Sequence, residues 1–103
     1  MTADEREHFY DEEIAPVLAE LAWRCAQHGL SFVAAVEWRP GALGRTVQLC
    51  KQRGYGIDQA DAAIRANGET DVLIARLIAE AVRVGHNSEY LRKLGVPFQP
   101  ALD

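Results

Sequence analysis

The stretch from Thr70 to Val84, TDVLIARLIAEAVRV, constrains what this chain can fold into more than any other segment. Wound as a helix of about 3.6 residues per turn, it gathers Arg76, Glu80 and Arg83 into one narrow stripe and leaves most of its circumference apolar. Such a helix needs cover on about three sides. A chain of 103 residues has little else to supply that cover, so the sequence predicts a central packing helix at 70–84.

The stripe formed by Arg76, Glu80 and Arg83 has two interpretations. The three side chains can pair as a ladder of ions on a ridge that faces water. Alternatively they lie in an interface between subunits, where arginine is favoured over lysine because it pairs in a bidentate manner. In so small a chain we favour the interface, and we predict a homodimer.

The remaining patterns predict an α+β fold. Leu30 to Trp38, LSFVAAVEW, is typical of a strand because it is rich in aromatic and β-branched residues, and a weaker alternation follows at Thr46 to Cys50. A two-stranded ribbon is marginal alone in water, which is a second reason to expect a partner copy. The predicted elements are helices at about 12–28, 58–66, 70–84 and 88–94, packed with a small antiparallel β-ribbon at about 30–38 and 46–50.

Local signals place the ends of these elements. Pro16 is tolerated in a first turn, so the first helix is expected to start near residues 12–15, and an earlier start implies a kink. Gly29 is expected to cap that helix in the left-handed conformation. Asp58 is the expected N-cap of the second helix. The segment RPGALG, residues 39–44, is expected to be a turn.

Length and composition indicate a single domain over residues 1–103, with flexible ends at 1–10 and 96–103. No apolar run approaches the roughly 20 residues that span a bilayer, and the N-terminus has no signal-peptide pattern. We therefore expect a cytoplasmic protein with no membrane association. Cys25 and Cys50 match neither a disulfide framework nor a metal-binding pair, and we expect free thiols.

Charge is distributed unevenly along the chain. Residues 1–20 carry seven acids and one base, Arg6, whereas residues 38–57 carry four bases and no acid. These segments can pair with each other, face separate partners or simply be solvated. Trp23, on the polar side of the first helix, is expected either to be covered by Phe9 and Tyr10 or to contact another molecule. The residues predicted to bind a partner are Trp23, Arg39, Arg45, Lys51, Arg53 and Tyr55.

Two segments resemble motifs that bind nucleotides or nucleic acids, but each lacks residues that its motif requires. Gly41 to Thr46 has two residues between its glycines and an arginine before the threonine, whereas a phosphate-binding loop needs four residues and a lysine. Residues 58–84 suggest a helix-turn-helix, but the second helix presents Val, Leu and Ile where base contacts need polar side chains. The net charge of −4 also disfavours nucleic acid.

No arrangement of residues predicts catalysis, a metal or a cofactor. His8, His28 and His86 are widely separated, and none stands in a recognised ligand spacing. Cys25 lies in the apolar stripe of the first helix, where a thiol is inert. Cys50 has no neighbouring histidine to act as a base. We therefore do not expect an enzyme, although a pocket that brought Cys50 to a histidine would reopen that alternative.

The chain resembles a group of small uncharacterised proteins of bacterial prophages and mobile elements. The resemblance lies in APVLAELAWRCAQHGLSFVAAVEW with the following PGALGRT, and in RANGETDVLIARLIAEAV with GHNSEYLRKLGVP, and it covers most of residues 14–97. It is one of overall layout. It implies an accessory or anti-defence factor that binds a host or phage protein.

The expected function is that of a non-catalytic protein-binding module, possessing no cofactor and acting as a homodimer on an unidentified protein. The alternative is a nucleic-acid-associated regulator that uses the basic segment at 39–55. Salt separates them, because phosphate-driven binding weakens steeply as salt rises, whereas an apolar protein interface does not.

Overall fold

The computed structural model describes residues 1–100 of the chain and confirms an α+β fold with a two-stranded antiparallel sheet. The chain divides into two compact units, Met1–Asn67 and Gly68–Asp103. The single-domain expectation stays a prediction. The elements are α1 (Ala3–Phe9), a π-helical segment (Tyr10–Ile14), α2 (Ala15–Gln27), β1 (Phe32–Arg39), β2 (Ala42–Gln48), α3 (Tyr55–Ala66), α4 (Thr70–Val84) and α5 (Glu89–Lys93).

The first helix begins at Ala3, earlier than the predicted 12–15, and a π-helical turn takes the place of the expected kink. Thr2 caps it in a capping box, since the Glu5 N–H donates to Thr2 Oγ1 at 3.1 Å. Pro16 has no N–H, and just before it the Ala15 N–H bonds back to the Tyr10 carbonyl, five residues away. The wider turn lets the helix continue through the proline position.

Tyr10, the first residue of the π-helical segment, is the centre of the small core in the first unit. It is 6% exposed, and its ring lies 5.3 Å from that of Trp38. The ring also lies against Gly44 on β2, where a Cβ would overlap it. Arg6 links α1 to the end of β1, since its Nε donates to the Trp38 carbonyl at 2.7 Å. The helix therefore packs on the sheet face that carries Gly44.

The hairpin turn is shorter than the six residues expected. Arg39 already pairs with Ala42, so Pro40 and Gly41 form the whole turn, and β2 starts four residues before its predicted start at Thr46. Gly41 adopts a φ of +82°, and Pro40 fixes the preceding φ, a combination that suits a tight type II turn. The register shifts between Glu37 and Arg39, which places a β-bulge beside Trp38.

The third helix begins at Tyr55 with Gly54 as its N-cap, so the expected N-cap role of Asp58 is wrong. Asp58 lies inside the first turn, and its carboxylate pairs with Arg53. Side chains alternate along β2, so Arg45 points away from the face that carries Gly44, and it reaches Asp61 of α3. Asn67, at the left-handed end of α3, donates to the Gly41 carbonyl at 2.9 Å. Helices thus contact both sides of the hairpin.

The second unit contains α4, which begins and ends at the predicted residues. Gly85, at a φ of +87°, ends the helix, and its hydrogen faces the Phe98 carbonyl so closely that a Cβ would lie 2.7 Å from that oxygen. The His86 N–H donates to the same carbonyl at 3.0 Å. Residues 96–100 therefore fold back on the end of α4, and the predicted flexibility of 101–103 lies outside the described residues.

His86 stabilises this C-terminal segment through both nitrogens of its imidazole ring. The Ser88 N–H, which can only donate, lies 2.9 Å from His86 Nδ1, so that nitrogen is the acceptor. The opposite nitrogen, Nε2, then carries the proton and donates to the Val96 carbonyl at 2.9 Å. Phe98 packs against the imidazole with ring centroids 5.3 Å apart. Among residues 1–100, no helix is long and apolar enough to cross a membrane.

Candidate functional site

The predicted basic surface is partly neutralised by acids of α3. Arg45 Nε lies 2.7 Å from Asp61 Oδ1, and Arg65 Nε lies 3.0 Å from Asp61 Oδ2. Asp61 is 5% exposed, so both of its oxygens are used inside the unit. The hydrogen bond from Arg45, followed by that from Arg65, lowers the pKa of the Asp61 carboxyl despite its burial. Arg45 therefore links β2 to α3 through its ion pair with Asp61.

The other predicted basic residues are not brought together as one patch of unpaired cations. Arg53 Nε lies 2.5 Å from Asp58 Oδ1, and its guanidinium also donates to the Cys50 carbonyl at 2.8 Å. Arg39 and Lys51 are exposed, and Tyr55 is 42% exposed at the start of α3. A phosphate backbone that bound here must compete with two carboxylates already held by arginine, which weakens the case for nucleic acid.

Trp23 is the most prominent contact candidate in the first unit. Its side chain is 60% exposed on α2, and Tyr10, one of the two residues expected to cover it, is buried against Trp38 instead. One helical turn away on either side lie Ala19 and Ala26, which are also exposed and too small to shield the indole. The result is an exposed indole beside two small apolar side chains, and a large exposed aromatic ring is typical of interface hot spots.

The predicted interface stripe on α4 lies at the surface. Arg83 Nη2 is 2.5 Å from Glu80 Oε1, and these side chains are 65% and 42% exposed. Arg76 is exposed on the same side of the helix. Such a pair in water contributes about 0–1 kcal/mol, so the stripe does not by itself stabilise the fold. The apolar residues around it matter more, because Val72, Ile74, Val82 and Val84 are each more than a third exposed.

The histidines and cysteines form no catalytic arrangement in the described part of the chain. Both ring nitrogens of His86 are engaged by backbone groups, so it has no free lone pair to act as a base. His8 lies 3.3 Å from Glu12 in an exposed i,i+4 pair. Cys25 and Cys50 are both half-buried free thiols. Within residues 1–100, no three His, Cys, Asp or Glu side chains converge as a metal would require.

An acidic depression lies along the N-terminal helix. It has a volume of about 450 Å³ and is open to water. Its lining combines two large apolar side chains with four carboxylates, so it repels phosphate and suits a cationic or amphipathic group. The lining residues are Met1, Asp4, Glu5, His8, Phe9, Glu12 and Glu13.

Two positions that organise the first unit were missed by sequence reasoning. Asp61 falls beside Ile57 and Ile64 on the apolar side of α3, and an acid there signals an ion pair with a distant base. The sequence contains no signal for the packing of Tyr10 on Gly44, because this packing depends on a π-helical turn that no residue pattern predicts. The capping box Thr2-x-x-Glu5 is visible in the sequence, and it marks the residue at which the first helix begins.

No family model, curated protein or solved structure matches this chain. Function must therefore be inferred from the surfaces that its own residues form. Among the described residues those surfaces are an exposed indole on α2, an acidic depression on α1 and an apolar helix, α4.

Proposed function

We propose that this chain is a non-catalytic protein-binding module that acts as a homodimer in the cytoplasm. The resemblance of its sequence layout to that of small prophage proteins is our reason for proposing a regulatory or anti-defence setting of phage origin. The proposal has two separable parts. One is self-association through apolar surface, and the other is capture of a second protein through the indole of Trp23.

A single observation carries the proposal: residues 1–100 contain no large side chain that is fully buried. The buried hydrophobic residues of this part of the chain are Tyr10, Ala22, Ala66 and Ala81. Large hydrophobic side chains instead lie at the surface on α2, α4 and α5, including Val17, Trp23 and Val82. Exposed apolar surface on this scale in a small chain is characteristic of protein-binding surfaces.

Trp23 supports the second part. A large, rigid indole at the surface can bury its whole face in a partner with little loss of side-chain entropy, which is why tryptophan dominates hot spots. The exposed alanines beside it let a partner approach the helix closely. Arg24 and Glu20 at the edge of the same surface supply polar contacts that fix orientation.

The nucleic-acid alternative has weaker support. Two of its four bases, Arg45 and Arg53, are already in ion pairs with Asp61 and Asp58. The acidic rim along α1 adds repulsion of phosphate. If this alternative holds, binding to DNA or RNA falls steeply as salt rises, whereas binding through Trp23 changes little.

The two parts are tested separately. Sedimentation velocity from low to high micromolar concentration tests self-association, and a clean monomer throughout would contradict it. For partner binding, wild type, Trp23→Ala and the control Tyr90→Ala are used as baits, since Tyr90 is also an exposed aromatic side chain. We expect a protein that binds the wild type and Tyr90→Ala but not Trp23→Ala, and binding must be reproduced with the purified partner. Equal binding to all three baits would contradict the role of Trp23.

A further inference from the structure

The open face of α4, which we define as Val72, Ala75, Ala79 and Val82, is an apolar surface of the second unit. All four residues are exposed, with Val72 at 38% and Val82 at 51%. At about 100° per residue they lie within about 80° of the helix circumference, so they form one continuous face. Within residues 70–84, all of which the structure describes, Ala81 alone is buried.

The open face has an internal symmetry centred on Leu77. Ala75 and Ala79 lie two residues before and after Leu77, and Val72 and Val82 lie five residues before and after it. Charges extend the pattern, because Asp71 and Arg83 lie six residues before and after the same point. Read in either direction, the face presents a valine, two alanines and a valine, with an acid at one end and a base at the other.

We infer that the open face of α4 binds the same face of a second copy of this chain, with the two helices antiparallel. Around a two-fold axis level with Leu77, each residue lies level with the one equally far on the other side of that point. Val72 then meets Val82 of the partner subunit, and Ala75 meets Ala79 of the partner subunit. The small alanines at the centre let the two helix axes approach closely. This inference rests on the proposed homodimer and specifies its interface.

Charge favours this orientation over the parallel one. In the antiparallel pair, the first turn of one helix, which carries Asp71, lies at the same end as the last turn of its partner, which carries Arg83. The helix dipoles are also opposed. In a parallel pair, Asp71 would lie level with its own copy, as would Arg83, and like charges would repel.

The occupant is a second copy because the face is complementary to itself in both size and charge. A different protein would need no such symmetry in this sequence. Two helices of this length bury less area than a standard interface, so the dimer is expected to dissociate in about the micromolar range.

The test uses the full chain and two matched glutamate variants of α4. Val82→Glu places a charge in the open face, whereas Ile74→Glu places the same charge at a similarly exposed position outside it. Because both side chains are exposed, neither change disrupts the monomer, and circular dichroism checks this. We expect Val82→Glu to raise the dimer dissociation constant by about a hundredfold, since each dimer would bury two unpaired carboxylates. Ile74→Glu should leave it nearly unchanged.

A charge exchange tests the antiparallel register. Asp71→Arg alone and Arg83→Asp alone each place like charges at both ends of the dimer, so each should self-associate more weakly than wild type. The double variant Asp71→Arg/Arg83→Asp restores opposite charges at both ends of an antiparallel dimer, whereas a parallel dimer has like charges at each end in the wild type and in all three variants. Sedimentation velocity should show that the double variant self-associates as strongly as wild type.

The outcomes separate the interface from the homodimer itself. A wild type that remains monomeric overturns both. A wild-type dimer that persists in Val82→Glu, or that Ile74→Glu weakens equally, leaves the homodimer intact and overturns the open face. Loss of the dimer in Val82→Glu alone, with Asp71→Arg and Arg83→Asp each self-associating as strongly as wild type, overturns the antiparallel orientation.

Discussion

The surroundings of Tyr10 and those of α4 show opposite relations between apolar sequence and burial. Tyr10 belongs to an acidic segment, YDEEI, yet it is 6% exposed beneath Gly44 and beside Trp38. The α4 helix has the sequence expected of a core element, yet it buries one alanine and exposes valines and an isoleucine. Apolar content therefore does not decide which segment is buried in this chain.

The difference lies in what each segment finds to pack against. Tyr10 meets a sheet surface that a glycine leaves flat, so a single large ring fills the space. The four residues of the open face of α4 are all exposed. A second copy of the chain can provide a surface that covers them.

The largest expected effect is on Tyr10. Tyr10→Ala removes the ring from beneath Gly44 and should lower the free energy of unfolding by about 3–5 kcal/mol, as for other buried aromatic residues. Tyr10→Phe keeps the ring and should cost much less. The exposed control Tyr90→Ala should change stability by less than about 0.5 kcal/mol. Urea denaturation measures all three, and equal losses at Tyr10 and Tyr90 would contradict the account.

Asp61 is expected to have the next largest effect. Asp61→Asn removes the charge that holds Arg45 and Arg65, and we expect a loss of about 1.5–3 kcal/mol at neutral pH. The matched control Asp58→Asn breaks a more exposed pair and should cost less than about 1 kcal/mol.

The pH dependence of this loss has a defined sign. The arginines lower the pKa of Asp61 in the folded protein below its ordinary value of 3.8. The stabilisation is therefore complete above the unfolded pKa and disappears as pH falls through the lower folded pKa. Wild type and Asp61→Asn should converge in stability as pH falls through the lowered pKa of Asp61. A difference that stays constant from neutral to acidic pH would show that the charge is not responsible.

His86 should have a smaller and more local effect. His86→Ala removes the acceptor for Ser88 and the donor to Val96, which should cost about 1–2 kcal/mol. Limited proteolysis should detect faster cleavage after residue 95, with the first unit unaffected. His28→Ala, at an exposed position, is the control. Unchanged cleavage in His86→Ala would contradict its role in holding the C-terminal segment.

The smallest effect is expected on the open face of α4. Val82→Ala, measured at concentrations where the protein is monomeric, should change stability by less than about 0.5 kcal/mol because the side chain is already exposed. At high concentration the same change should cost more, since the dimer buries the residue. A large loss at every concentration would mean that α4 is covered within the chain.

The sequence predicted the elements whose signals are local. The α+β class and the bounds of α4 are confirmed, and so is the glycine cap after α2, where Gly29 adopts a φ of +70° and the Leu30 N–H bonds to the Cys25 carbonyl. Each depends on neighbours within a few positions. A helical period and a following glycine were enough to specify them.

Features that depend on distant contacts were not predictable in this way. The early start of the first helix requires the π-helical turn before Pro16, and the short hairpin turn requires Ala42 to pair with Arg39. Among the candidate binding residues, Arg45 was chosen for its charge, but its partner Asp61 lies on another element. Charge in a sequence does not reveal which ions are already paired.

Hydrogen exchange at low and high protein concentration tests the contrast between the two regions most directly. Amides of β1 and β2 should be protected equally at both concentrations, because their packing with Tyr10 lies within one chain. Amides of α4 should exchange faster in dilute protein and gain protection as concentration rises, because the second copy stabilises the helix. Protection of α4 that equals that of the sheet in dilute protein, and does not change with concentration, would contradict the account.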